Sequence, residues 1–265
     1  MKLGLGLGIN QRAENLESMS GFSIDSLSGL VGWYPFNTGH TLDGDALVAW
    51  ADASGNSRTL TNTGATNKRP TVESGRINWG DVPNSFMDIQ NGAIPNSRAF
   101  SLFFVVEFAV ANATAISRIL NGSSSSSSTD TFTWATLTST HPSQLWQLLM
   151  DGFGDTTTRV STSTTNGNLA NNTKTIIQCI YGGGSTDGDN TFKIDTQTGS
   201  GSLTNCITLS KTNSNDETLD FNAVGLNSSS QYIHGYVDEI VIFNRKLNTE
   251  EATEVRTDMI SRNNM

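Results

Sequence analysis

Short runs of β-branched and aromatic residues, each closed off by glycine, asparagine, serine or threonine, recur along this chain. Residues 236–243 run Tyr-Val-Asp-Glu-Ile-Val-Ile-Phe between Gly235 and Asn244, with so little polar relief that they predict a strand buried in the middle of a sheet. Residues 100–108 have the strongest strand character, and 30–36, 46–50, 86–89, 132–137, 145–150, 175–181, 206–209 and 219–226 read as further strands. Residues 156–163 are a polar, β-branched candidate, while 192–195 alternate apolar and polar as a strand with one face to solvent does. Residues 41–45 carry turn chemistry, 69–72 and 77–79 read as short edge segments, and the serines of 123–128 form a loop. The period changes only at the end. Leu247 fits the position before a helix cap, Asn248 or Thr249 fits the cap, and Glu250 and Glu251 occupy the first turn, where the helix dipole favours negative charge.

Composition supports many short strands over helices. Glycine, serine, threonine and asparagine are abundant and charged residues make up only 15% of the chain, whereas helices would want more alanine, leucine, glutamate and lysine. At 265 residues an all-β sandwich commonly forms one domain. The formal net charge of -9, with scattered cations, gives no basic face for nucleic acid. No run approaches the ~20 apolar residues needed to span a membrane, so no membrane insertion is expected. Cys179 and Cys206 read as two small buried hydrophobes, although spacing alone does not decide whether they bridge.

The first residues stand apart. Leu3, Leu5, Leu7 and Ile9 alternate with glycines or sit beside one, so an extended segment would carry all four aliphatic side chains on one face. Such a segment suits docking to a sheet edge or groove of a partner. Its apolar run is short and diluted by glycine, and no small-x-small cleavage site follows. A secreted leader is therefore not expected.

Three segments carry a family resemblance. Gly235, Val237, Asp238, Glu239 and Ile240, followed by Asn244, Arg245, Leu247, Thr249, Glu250 and Glu251, resemble the closing strand and helix start of concanavalin A-like jelly rolls of the laminin-G-like type. Leu30 to Phe36, followed by Trp50 and the Asp52-Ala53-Ser54-Gly55-Asn56 loop, look like that family's first strand and its Asp-x-Ser-Gly-Asn loop, and 100–108 look like its inner-sheet strand. The resemblance covers roughly residues 28 to 258 and implies an all-β, two-sheet antiparallel jelly-roll sandwich. An extended N-terminal arm over 1–27 would precede a domain over 28–265 ending in a short helix. The Gly-Leu opening before such a domain is similar to structural proteins of tailed bacteriophages. It implies a virion location, with capsid or tail proteins as partners of the arm. A homo-oligomer is compatible with this, a trimer favouring a fibre.

Catalytic chemistry is hard to place in the sequence. Asp238 and Glu239 are neighbours, which strand alternation sends to opposite faces, and Glu107 has no carboxylate two or four positions away. His40, His141 and His234 fall in turn-like or edge contexts without a nucleophile elbow. These observations lead to the expectation of a chain that is not an enzyme. The resemblance implies calcium as the one cofactor to consider, with Asp52 and Asp238 at the positions most similar to the family's acidic residues; turn capping by Asp52 and backbone bonding by Asp238 is the simpler reading of both. Sugar binding would use exposed aromatic rings, for which Trp79, Trp134, Trp146 and Tyr232 are available. The expected function is a virion decoration, fibre or tail protein that touches host-surface glycan weakly, with a free carbohydrate-binding module or lectin as the alternative.

Overall fold

The computed structural model describes residues 22–62, 66–80, 84–92, 94–108, 116–121, 132–137, 145–150, 158–161, 172–183, 189–210, 219–225 and 233–265. Strands are numbered in chain order, and all paired strands are antiparallel. One layer, the back sheet, runs β1 (Leu30–Tyr34), β19 (Gly235–Phe243), β9 (Ala99–Phe108), β14 (Thr175–Gly182), β15 (Thr191–Thr198) and β16 (Thr204–Ser210). The other, the front sheet, runs β2 (His40–Asp43), β3 (Ala46–Trp50), β4 (Leu60–Thr61), β7 (Phe86–Ile89), β18 (Ala223–Gly225), β10 (Ile116–Asn121), β11 (Phe132–Leu137), β12 (Leu145–Met150) and β13 (Thr158–Ser161). A hairpin of β5 (Thr71–Glu73) and β6 (Arg76–Asn78) joins them, β5 pairing with β3 and β6 with β19. β8 (Ile94–Ser97) and β17 (Leu219–Phe221) make a separate small pair. The expected all-β antiparallel sandwich is present.

Alternation along the back strands explains both of its faces. On β9, Phe100, Leu102, Phe104, Val106 and Phe108 point into the space between the layers, against Leu47, Trp50, Leu60, Met87 and Val224 of the front sheet. Phe103 and Val105 point the other way. There they meet the helix α1 (Thr249–Arg262), whose Ala252, Val255 and Met259 recur at helical spacing. Both faces of this sheet are covered, which is why its strands read as nearly continuous apolar runs. Asn248 caps α1: its side chain accepts from the Glu251 backbone while Glu251 accepts from the Asn248 backbone.

Three local readings change. Residues 40–43 are a strand rather than a turn, and the turn comes at Gly44, whose φ of 61° suits glycine. Asp195 on β15 is wholly buried although Lys193, on the same face, is half-exposed, so that face is open only in part; Arg256 of α1 reaches Gln197 on it. Ile24, in a 3-10 turn (Ile24–Ser26), is also fully buried among the residues under α1, so the folded body includes the end of the segment expected to be an arm. Leu3, Leu5, Leu7 and Ile9 lie outside the described residues. Cys179 and Cys206 are both buried and unbridged.

Candidate functional site

A two-residue turn at Ser74 (φ 49°) and Gly75 (φ 82°) folds β5 onto β6 and brings Arg76 over β19. The Arg76 guanidinium stacks on the Tyr236 ring, 4.0 Å from its centroid. Its Nε donates to Asp238 at 2.9 Å, and Nη1 lies 2.9 Å from Glu107. Lys174 approaches Asp238 at 3.6 Å and donates to the Asn263 carbonyl at 3.1 Å. Two carboxylates and two cations are thus gathered at one end of the back sheet.

The register of β19 against β9 explains how Asp238 arrives there. Val237 pairs with Val106 and Glu239 with Val105, leaving Asp238 as the extra residue of a β-bulge. Val237 points into the core, so Tyr236 and its partner Glu107 point outward. The bulge resets the alternation, and both Asp238 and Glu239 also turn outward. Glu239 accepts from Trp33 Nε1 at 3.0 Å and from Arg262 and Asn263 at 2.5 Å. The expectation that these neighbours occupy opposite faces is wrong here, because a bulge breaks the period on which it rests. Burial pushes both carboxyls above their usual range, with Arg76 opposing the rise at Asp238 and Arg262 opposing it at Glu239.

Calcium does not fit the residues proposed for it. Asp52 spends Oδ1 on the backbone N–H groups of Trp33 (3.0 Å) and Ser54 (2.9 Å), and Oδ2 on that of Arg58 (3.0 Å). It caps its turn. Asp238 accepts from Arg76 and lies 3.6 Å from Lys174, two cations that would repel a metal ion. Among the described residues no group of three or more His, Cys, Asp or Glu converges to hold a metal.

The aromatic candidates separate as well. Trp79 is fully buried, so no ring face is open for a sugar and it serves the core. Trp134, on β11, pairs with Leu148 and Trp146, on β12, with Thr136. Tyr232 lies outside the described residues.

A second cluster was not foreseen. Between α1 and the outer face of β14 and β15 lies a pocket of about 190 Å³, lined among others by Arg256, Lys193, Lys246 and Gln178. Arg256 is 7% exposed; its Nε donates to Gln197 at 3.0 Å, Nη1 donates to Gln178, and Nη2 donates to Thr253 at 2.9 Å. Gln178 in turn donates to Asp195 at 2.9 Å. The spacing of Ala252, Val255, Arg256 and Met259 places Arg256 on the apolar stripe of the helix, a signal that was legible in the sequence.

No protein-family model and no curated protein matches this chain. Among solved structures it is similar to an α-L-arabinofuranosidase of family GH54 soaked with a cyclic sulfate inhibitor, at 12% identity and a TM-score of 0.56, over 82% of this chain and 51% of that one. It is also similar to the Trypanosoma rangeli sialidase in complex with sialic acid, at 14% identity and a TM-score of 0.52, over 89% of this chain and 33% of that one. A third, an arabinofuranosidase complexed with arabinofuranosyl-α-1,2-xylobiose, gives 12% identity and a TM-score of 0.56 over the same shares as the first. The chain spans about half the length of the arabinofuranosidases and a third of that of the sialidase. These likenesses establish the sandwich fold. They also correct the expectation of a chain without enzymatic activity, since the structures sharing its fold are named arabinofuranosidase or sialidase and the bulge removes the geometric premise behind that expectation.

Proposed function

We propose that this chain is a carbohydrate-active β-sandwich of the laminin-G-like type, carried on a bacteriophage particle by its first residues and turned toward glycans of the host surface. The observation that carries the glycan part is the fold shared over most of this chain with an arabinofuranosidase bound to an arabinofuranosyl-xylobiose and a sialidase bound to sialic acid. The particle part rests on the Gly-Leu opening with Leu3, Leu5, Leu7 and Ile9 and on the laminin-G-like closing motif. Apolar burial and main-chain pairing by that opening would hold the sandwich to a capsid or tail protein.

A glycan array probed with the full chain tests the first part, and binding to no glycan sinks it. Replacing Leu3, Leu5, Leu7 and Ile9 together by serine tests the second: copies per particle, counted by mass spectrometry, should fall to background. Equal incorporation of the variant would refute the arm. A parent chain never found in particles, yet binding sugars, would be a free lectin.

Glycan cleavage is a second reading, favoured by one arrangement: Glu107 and Asp238 flank a single guanidinium, and burial lifts the Asp238 carboxyl toward the protonated form that a general acid needs. Release of reducing sugar that disappears in Glu107→Gln would establish it.

A further inference from the structure

Arg256 is a buried cation with no direct ion pair: Gln178 stands between it and Asp195, the carboxylate that attracts it and that Lys193 also engages. Its three hydrogen-bond partners, Gln197, Gln178 and Thr253, are all neutral, and among the described residues no carboxylate lies within ion-pairing distance. The other two cations of the pocket each have a carboxylate of their own: Lys193 lies 3.1 Å from Asp195 and Lys246 is paired with Asp189. Counting these pairs leaves one positive charge in surplus at the pocket, in a chain whose net charge is -9. Buried charges are ordinarily paired, and one compensated only at a distance favours an anion that can reach it.

The pocket is shaped to let one in. Arg256 uses Nε and one N–H on each terminal nitrogen, leaving one N–H on each of Nη1 and Nη2, the set from which a guanidinium grips a carboxylate with two bonds. Thr249, the first residue of the 14-residue helix α1, also lines the pocket and brings the positive end of the helix dipole to it. Ile180 and Leu203 give it an apolar wall, and Leu203, 36% exposed, is one of only two large hydrophobic residues left open to solvent among the described residues. At about 190 Å³ the pocket falls below the roughly 300–1,000 Å³ of sites for drug-sized ligands, so it takes a single ring rather than an oligomer.

We propose that the pocket between α1 and the back sheet binds one carboxylated monosaccharide, its carboxylate on Arg256 and its ring against Ile180 and Leu203. This rests on the reading of the chain as carbohydrate-active and names the class of sugar and the place. A free sugar acid and one at the end of a host glycan present the same chemistry to this pocket.

Calorimetric titration of the full chain with D-glucuronate, N-acetylneuraminate, D-glucose and acetate tests it. At least one of the two sugar acids should bind ten times more tightly than both glucose and acetate. Arg256→Gln should weaken that binding at least tenfold. Leu203→Trp, at an exposed position where folding is not at stake, should block it by filling the mouth. Acetate binding as tightly as the sugar acids would overturn the role of the ring, and neither acid binding, or undiminished binding in both variants, would overturn the site. A glycan array run beside the titration separates the two claims: neutral glycans bound without dependence on Leu203 would leave the carbohydrate-active reading standing and this pocket refuted, whereas no glycan bound at all removes the broader reading itself.

Discussion

Glu239 has its carboxylate where water does not reach, and the neighbours that satisfy it are Trp33, Arg262 and Asn263. Desolvation is the largest influence and raises its pKa above the ordinary 4.5. A carboxyl with a raised pKa in the folded state holds its proton longer there than in the unfolded chain. Its contribution to stability is therefore fully present below 4.5 and is lost as pH rises through the elevated value. Glu239→Gln, which mimics the protonated carboxyl, should flatten that segment, so that urea midpoints of the parent and the variant, compared from pH 4 upward, agree best on the acid side and diverge as pH rises. Parallel profiles would show that the partners cancel the burial. Asp52 accepts three backbone N–H groups with its two carboxylate oxygens. Asp52→Ala should lower stability by about 1–3 kcal/mol, because those donors lose their acceptor. A chelator should leave the parent's unfolding midpoint unmoved, and a drop on adding EDTA would restore calcium to consideration.

At the scale of elements, helix α1 was the most legible piece. Leu247, Asn248 and the two glutamates locate its start from the sequence, and the capping box at Asn248 and Glu251 is what those residues build, reinforced by Arg245, whose Nη2 is 2.7 Å from Glu251. Asn248→Ala should cost about 1 kcal/mol in chemical denaturation, and no measurable loss would mean that burial of Val255 and Met259 alone holds the helix. The bulge in β19 was not legible. Nothing in Tyr236-Val237-Asp238-Glu239-Ile240 marks an extra residue, because a bulge is defined by the partner strand it fails to match. The site misreading followed from it, since the faces of Asp238 and Glu239 depend on that one residue. Residues 41–43 were misread for a related reason. Thr41, Leu42 and Asp43 have turn-like neighbours, but pairing with β3 decides their state, and pairing is a tertiary fact.

For the molecule as a whole, β-branched and aromatic runs marked most strands of the sandwich, while what covers each face stayed hidden. Asp195 on a seemingly amphipathic strand and Trp79 at a seeming edge are both buried, one under α1 and the other in the core between the sheets. The alternation that hid this is also what ties the layers together. β9 sends Phe104 into the sandwich core and Phe103 and Val105 under the helix, so one strand belongs to both apolar clusters. Neither cluster can open without loosening a strand of the other, which predicts a single cooperative transition. Phe104→Ala should lower stability by about 3–5 kcal/mol, and Met259→Ala, in the helix layer, by about 2–5 kcal/mol. In each variant the tryptophan near-ultraviolet signal, to which the buried Trp50 and Trp79 contribute, should be lost at the same denaturant concentration as the far-ultraviolet strand signal. If Met259→Ala instead melts in two steps, with the buried tryptophans still packed after the first, α1 is an independently stable cover and the back sheet does not couple the layers.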